Sequence, residues 1–152
     1  MKDFIKEKLE SGLLGEDVRQ NAGILIKCTT TNRFFLLKRA SPPHHGKWAL
    51  LSGQIEKGED SLTAIKREIG EEISINPNII DIKFENKELS PNTSNIKEDP
   101  SNSGSIFYYF KGYVSEEFKP TLDHENIAYV WVDADNLPQP LFPSIQEKIN
   151  NY

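Results

Sequence analysis

Between Gly53 and Ile75, four glutamates and an arginine have the types and spacing to hold a hard divalent cation. The stretch reads GQIEKGEDSLTAIKREIGEEISI. Gly53 is followed after five residues by Glu59, and after seven more by Arg67–Glu68. Ile69, a free position at Gly70, the pair Glu71–Glu72 and finally Ile75 complete the pattern. Leu62, Ile65, Ile69 and Ile73 recur at spacings of three and four, which predicts a helix over Ser61–Ile73 with one apolar stripe. At ~100° per residue, Glu68, Glu71 and Glu72 fall within an arc of about 100° beside that stripe. Carboxylates crowded on one helix face repel one another. A cation with oxygen ligands is the natural compensation.

An acidic run on a helix is ordinarily a solvated face. The fixed offsets upstream argue against that here. From average composition the whole pattern should arise on the order of once in a few million chains of this length, so coincidence is a poor account of it.

The stretch resembles the signature of the Nudix hydrolases. That signature is a glycine, five residues, a glutamate, seven residues, then arginine–glutamate–aliphatic–x–glutamate–glutamate–x–glycine–aliphatic. Every fixed position matches except the last glycine, which is Ser74 here. The resemblance implies an α/β fold with a mixed β-sheet sandwiched between helices. It also implies metal-dependent hydrolysis of a pyrophosphate bond in a nucleoside diphosphate linked to another group. By the same resemblance Glu68, Glu71 and Glu72, with the backbone carbonyl of Ser52, hold Mg²⁺ or Mn²⁺. Glu59 and Arg67 look like the family's structural pair, with Arg67 orienting Glu68. Gly53 and Gly58 are expected to supply tight turns that fold the loop back over the helix. A glycine at a helix end often adopts positive φ, which costs a serine ~1 kcal/mol or more. The expectation at Ser74 is therefore a slightly different helix end, completed by Asn76–Pro77, with the chemistry intact.

The general base is a signature glutamate in some relatives and a later carboxylate in others. The candidates are Glu68, Glu98 or Asp99 in a long polar stretch, and Glu125 in the run DHEN. Glu125 matches a position where many relatives carry a metal-binding or basic glutamate. Arg39, between a strand and a loop, is a candidate for substrate phosphate. His44 and His45 read as a solvent-exposed loop pair, because no third ligand has metal spacing nearby. Trp48 and Trp131 sit in strand patterns and read as core. Tyr108, Tyr109 and Phe110 alternate sides, so at least one is expected to face the cleft.

On substrate, Pro91 lies sixteen residues after Ile75, and similar proline placement is associated in this family with ADP-ribose hydrolysis. The chain is shorter at its N-terminal side than many such enzymes. The motif of the coenzyme A branch is not visible upstream of Gly53, and a nucleoside triphosphate stays open as substrate. The alternative function is a non-catalytic Nudix-type sensor that binds a nucleotide. Such modules commonly lose signature carboxylates, and this chain keeps all of them. A plain interaction domain with an acidic surface helix is a third reading; it predicts no stabilisation by divalent cations.

The elements that must carry these residues follow from periodicity. Ala22–Lys27 and Arg33–Lys38 read as strands about a turn at Thr29–Asn32, and Trp48–Leu51 as a short strand delivering the chain into Gly53. Ile80, Ile82 and Phe84 alternate with polar residues as a half-buried strand, and Leu89–Ser105 is a long polar loop. Ile106–Val114 and Ile127–Val132 are strongly β-prone, and Pro143 or Ser144 opens a last helix. At 152 residues the chain is most simply one domain over 1–152, with 1–20 a short helical extension whose apolar side is Phe4, Ile5, Leu9 and Leu13. The net charge of −5 argues against a general nucleic-acid binder or polybasic membrane anchor. No apolar run reaches ~20 residues, and the N-terminus lacks a signal-peptide core. A lone cysteine, Cys28, reads as an inert core thiol in a reducing, cytoplasmic setting. The expected partner is a small nucleotide, with no nucleic-acid complex and no membrane; a homodimer is compatible, because family members are often dimers.

Overall fold

A computed structural model describes residues 18–42, 44–90 and 104–152. Strand β1 (Arg19–Cys28) runs through the centre and pairs in parallel with β6 (Ser105–Val114), from Arg19↔Ser105 to Cys28↔Val114. A strand with a parallel neighbour and covered faces needs apolar residues on both sides, which accounts for the unbroken run AGILI. Ala22, Ile24, Ile26 and Cys28 go to one core, and Leu25 goes to the other.

The opposite edge of β1 is shared. β4 (Leu51–Gln54) takes Asn21–Ile24, whereas β2 (Phe34–Arg39) meets β1 only at Ile26 and Lys27. β1 and β2 therefore splay apart, and the segment Trp48–Gln54 fills the wedge. Its first part, β3 (Trp48–Ala49), pairs with β2. The expected single strand Trp48–Leu51 is thus two strands with different partners, because each side of the wedge offers its own unpaired edge. β7 (Asn126–Val132) covers the far edge of β2, and β5 (Asp81–Ser90) pairs with β6, making a mixed sheet of seven strands among the described residues.

Helix α1 (Ser61–Ile73) packs Ala64, Ile65, Ile69 and Ile73 on one face of the sheet, against Ile24, Leu51 and Phe110 among others. Each fully buried aliphatic there contributes about 1.5–3 kcal/mol. Asp60 caps the helix, its Oδ1 accepting from Thr63 N at 2.7 Å. Helix α2 (Ile145–Asn150) covers the other face with Ile145 and Ile149. The result is the expected mixed sheet between helical layers. Cys28 and Trp131 are core residues, as expected.

Several boundaries move. β1 begins at Arg19, so the last two residues of the proposed 1–20 extension are sheet, held there by pairing with β6. The proposed helix over 3–14 lies outside the described residues, as do Pro91, Glu98 and Asp99. The polar stretch 89–105 is trimmed at both ends, since Leu89 and Ser105 are in paired strands. Ser74 does not change the helix end. It takes the left-handed conformation itself, φ 54° and ψ 39°, and Pro77–Ile79 forms a separate 3₁₀ turn capped by Asn76. Leu62, on the sequence stripe but in the first turn, is 41% exposed, outside the cluster that buries the later turns.

Candidate active site and metal cluster

Helix geometry sorts the three signature carboxylates. Glu68 and Glu72 are one turn apart, and both lie on the buried side with Ile65 and Ile69. Glu71 turns outward; its side chain is 58% exposed. Glu68 and Glu72 therefore sit within the buried stripe instead of beside it. Glu125 reaches the same point from the segment before β7. One oxygen from each of Glu68, Glu72 and Glu125 lies within 4.8 Å of the others, and Glu71 is not part of this group.

Glu72 is 1% exposed. Asn126 Nδ2 donates to its Oε1 at 3.0 Å, while its Oε2 is buried with no partner among the described residues. Burial, reinforced by the neighbouring Glu68 and Glu125, pushes its carboxyl up to about 9. Burial also raises Glu68, against the pull of Arg67. Converging carboxylates with an orphaned buried oxygen fit a hard divalent cation, which would satisfy that oxygen and favour the charged forms.

Arg67 spends its whole guanidinium holding this arrangement. Nε and Nη2 grip Glu59 at 2.8 and 3.0 Å, Nη1 donates to Glu68 Oε1 at 2.8 Å and Glu71 Oε2 at 3.0 Å, and Nη2 also reaches Gln54 O at 3.0 Å. Such a two-pronged carboxylate pair fixes orientation as well as charge. It holds the Glu59 carboxyl down at about 2. Glu59 also accepts from Glu56 N at 3.0 Å, which ties the loop to the helix.

Gly53 has a different role from the expected turn. It is a strand residue in β4, and a Cβ there would lie 2.1 Å from Glu68 Cδ. Only glycine leaves room for that carboxylate. The turn belongs to Gly58, at φ +82°. Ser52, the residue before Gly53, pairs with Gly23 of β1.

The segment carrying Glu125 is laid on the end of α1. Thr121 N and Asp123 N donate to the otherwise free carbonyls of Ile73 and Glu72, at 3.0 and 3.1 Å. Glu125 N is held by Asp123 Oδ1 at 3.0 Å, and Glu125 O accepts from Ala40 N at 2.9 Å.

A groove lined by Gly53, Arg67, Glu68, Glu71 and Glu125 takes in two of the three clustered carboxylates, Glu68 and Glu125. Ser52, next to Gly53, lines a second cavity of about 390 Å³ with apolar walls including Ala49, Leu50, Phe107 and Phe142, and with Arg39, His44 and the ion pair Lys148–Glu88 among its polar members. Arg39 Nε and His44 Nδ1 are buried there without partners among the described residues. Gly23 makes the space for Phe107, since a Cβ at Gly23 would meet that ring at 2.3 Å. His44 is not a solvated loop residue. It stacks edge-on against Phe142 with centroids 4.5 Å apart, and burial lowers its pKa. His45 is exposed, as expected. Of the three aromatic residues at 108–110, Tyr109 and Phe110 are core and none lines the glutamate groove. Sequence reasoning missed Asn126, Phe142 and Lys148; only the polar residue beside Glu125 gave any local signal.

The family profile described as the NUDIX domain matches residues 17–151. No curated protein sequence matches the chain significantly. Among solved structures, the dihydroneopterin triphosphate pyrophosphohydrolase of E. coli is similar at TM-score 0.69 and 20% identity, covering 88% of this chain and 93% of that one. A MutT NUDIX hydrolase from Burkholderia pseudomallei is similar at TM-score 0.67 and 22% identity, covering 87% and 95%. The NUDIX domain of Shewanella oneidensis NrtR, solved with ADP ribose, is similar at TM-score 0.69 and 16% identity, covering 88% and 84%. These likenesses agree with the fold, and the profile covers nearly the whole chain: it belongs to the Nudix family of hydrolases.

Proposed function

We propose that the chain is a divalent-metal-dependent pyrophosphohydrolase, acting on a nucleoside diphosphate linked to another group. The observation that carries this reading is the meeting of Glu68, Glu72 and Glu125, with Glu72 Oε2 buried and unpartnered among the described residues. Glu68, Glu72 and Glu125 would hold Mg²⁺ or Mn²⁺, with the Ser52 carbonyl as the further ligand that the family resemblance supplies. When bound, the cation offsets phosphate charge and makes water a better nucleophile at neutral pH. Arg67 keeps Glu68 turned inward and holds Glu71 at the rim. Glu125, the more open of the three, has the position for a general base.

Arg39 and the apolar walls of the second cavity suit the nucleoside end of an anionic substrate. ADP-ribose-like compounds and nucleoside triphosphates both have the required anhydride; the Pro91 spacing favours the first. One buried free thiol is compatible with a cytoplasmic setting.

The test is phosphate release from ADP-ribose, nucleotide sugars, dinucleoside polyphosphates and nucleoside triphosphates, with a coupled phosphatase, with and without Mg²⁺ or Mn²⁺. Metal-dependent release that Glu72→Gln abolishes supports hydrolysis. Nucleotide binding with no release from any compound would support the sensor alternative instead.

A further inference from the structure

Two of the clustered carboxylates are each anchored from outside the cluster, and only one anchor belongs to the signature. Glu68 is held by Arg67. Glu72 is held by Asn126, the first residue of β7, from 54 positions away in sequence. Asn126 is 5% exposed, and its backbone stands opposite Arg39, where the β2–β7 register shifts.

We propose that Asn126 is a positioning residue for the metal site. Its carboxamide fixes Glu72 through Oε1 and leaves Oε2 as the free ligand atom. This rests on the metal-dependent reading above. A carboxamide has the properties the position requires. It donates a hydrogen bond without bringing positive charge that would compete with a cation. A carboxylate there would repel Glu72, and an apolar residue would leave both of its oxygens unpartnered. Partners of this kind, one step behind the ligands, orient metal-binding groups and strongly affect affinity.

The experiment measures Mn²⁺ affinity directly, from loss of the free-ion electron paramagnetic resonance signal, without substrate. Asn126→Leu should weaken Mn²⁺ binding ten- to hundredfold while thermal unfolding in EDTA stays cooperative. In a Glu72→Gln background the same substitution should change affinity less than twofold, because the group it positions is gone. An unchanged affinity in Asn126→Leu overturns the proposal. So does an equal loss in both backgrounds, which would mark a general structural role. If Asn126→Leu does not fold, Asn126→Ser takes its place with the same expected loss, since its shorter side chain does not reach Glu72. Wild-type protein that binds no Mn²⁺ would overturn the metal-dependent reading as well; normal wild-type binding with an unaffected variant overturns only the role of Asn126.

Discussion

Replacing Glu72 with glutamine should make the metal-free protein more stable at neutral pH, although it removes an active-site residue. Glu72 is 1% exposed, and its carboxyl is pushed from 4.5 to about 9 by burial and by its acidic neighbours. Between those two values the folded state holds a proton that the unfolded chain has released. Stability then falls as pH rises, because the native state binds more protons than the unfolded one. The slope is ~1.4 kcal/mol per pH unit for one proton, so from pH 4.5 to 7.5 the loss is at most about 4 kcal/mol. Glutamine has the same shape, keeps the carbonyl that accepts from Asn126, and carries no charge at any pH. In EDTA the two stability curves should meet near pH 4.5 and separate towards pH 8, with the variant above. Mn²⁺ should narrow that gap. At a concentration of 100 Kd it adds about 2.7 kcal/mol to the wild type and much less to the variant. Urea unfolding followed by tryptophan fluorescence reads both effects, since Trp48 and Trp131 are packed against the two cores. Parallel curves in EDTA would refute the buried-charge reasoning, and equal gains from Mn²⁺ would refute Glu72 as a ligand.

Other substitutions probe separate parts of the arrangement. Ser74→Gly should stabilise the fold by about 0.5–1 kcal/mol, read as a rise in Tm, because it relieves a left-handed serine at an exposed helix end. Gly53→Ala should weaken Mn²⁺ binding by about tenfold or more in a titration, since its Cβ would displace the Glu68 carboxylate. Glu71→Gln should reduce turnover far less than Glu72→Gln in the phosphate-release assay, because Glu71 lies on Arg67 outside the converging group. Arg39→Met should weaken binding of a nucleoside monophosphate product, measured by calorimetry, by roughly tenfold for one lost charged hydrogen bond.

Local spacing determined much of this protein. Because a helix advances ~100° per residue, the signature alone placed its acidic groups on one side of α1. It likewise put Arg67 within reach of Glu71, one turn away. The unbroken apolar run Ala22–Ile26 signalled a strand buried on both faces, and the structure gives it a parallel neighbour and two cores. Tertiary structure decided what depends on distant segments. The meeting of Glu72 with Asn126 and Glu125 was settled by Thr121–Asn126 folding onto the end of α1, and nothing in the helix periodicity contains that contact. Gly53 is needed for space beside Glu68, and His44 packs edge-on against Phe142; both are consequences of close approach between residues far apart in the chain. A period fixes the direction of a side chain relative to its own element, whereas burial, charge state and ligand geometry are set by whatever packs against it from elsewhere.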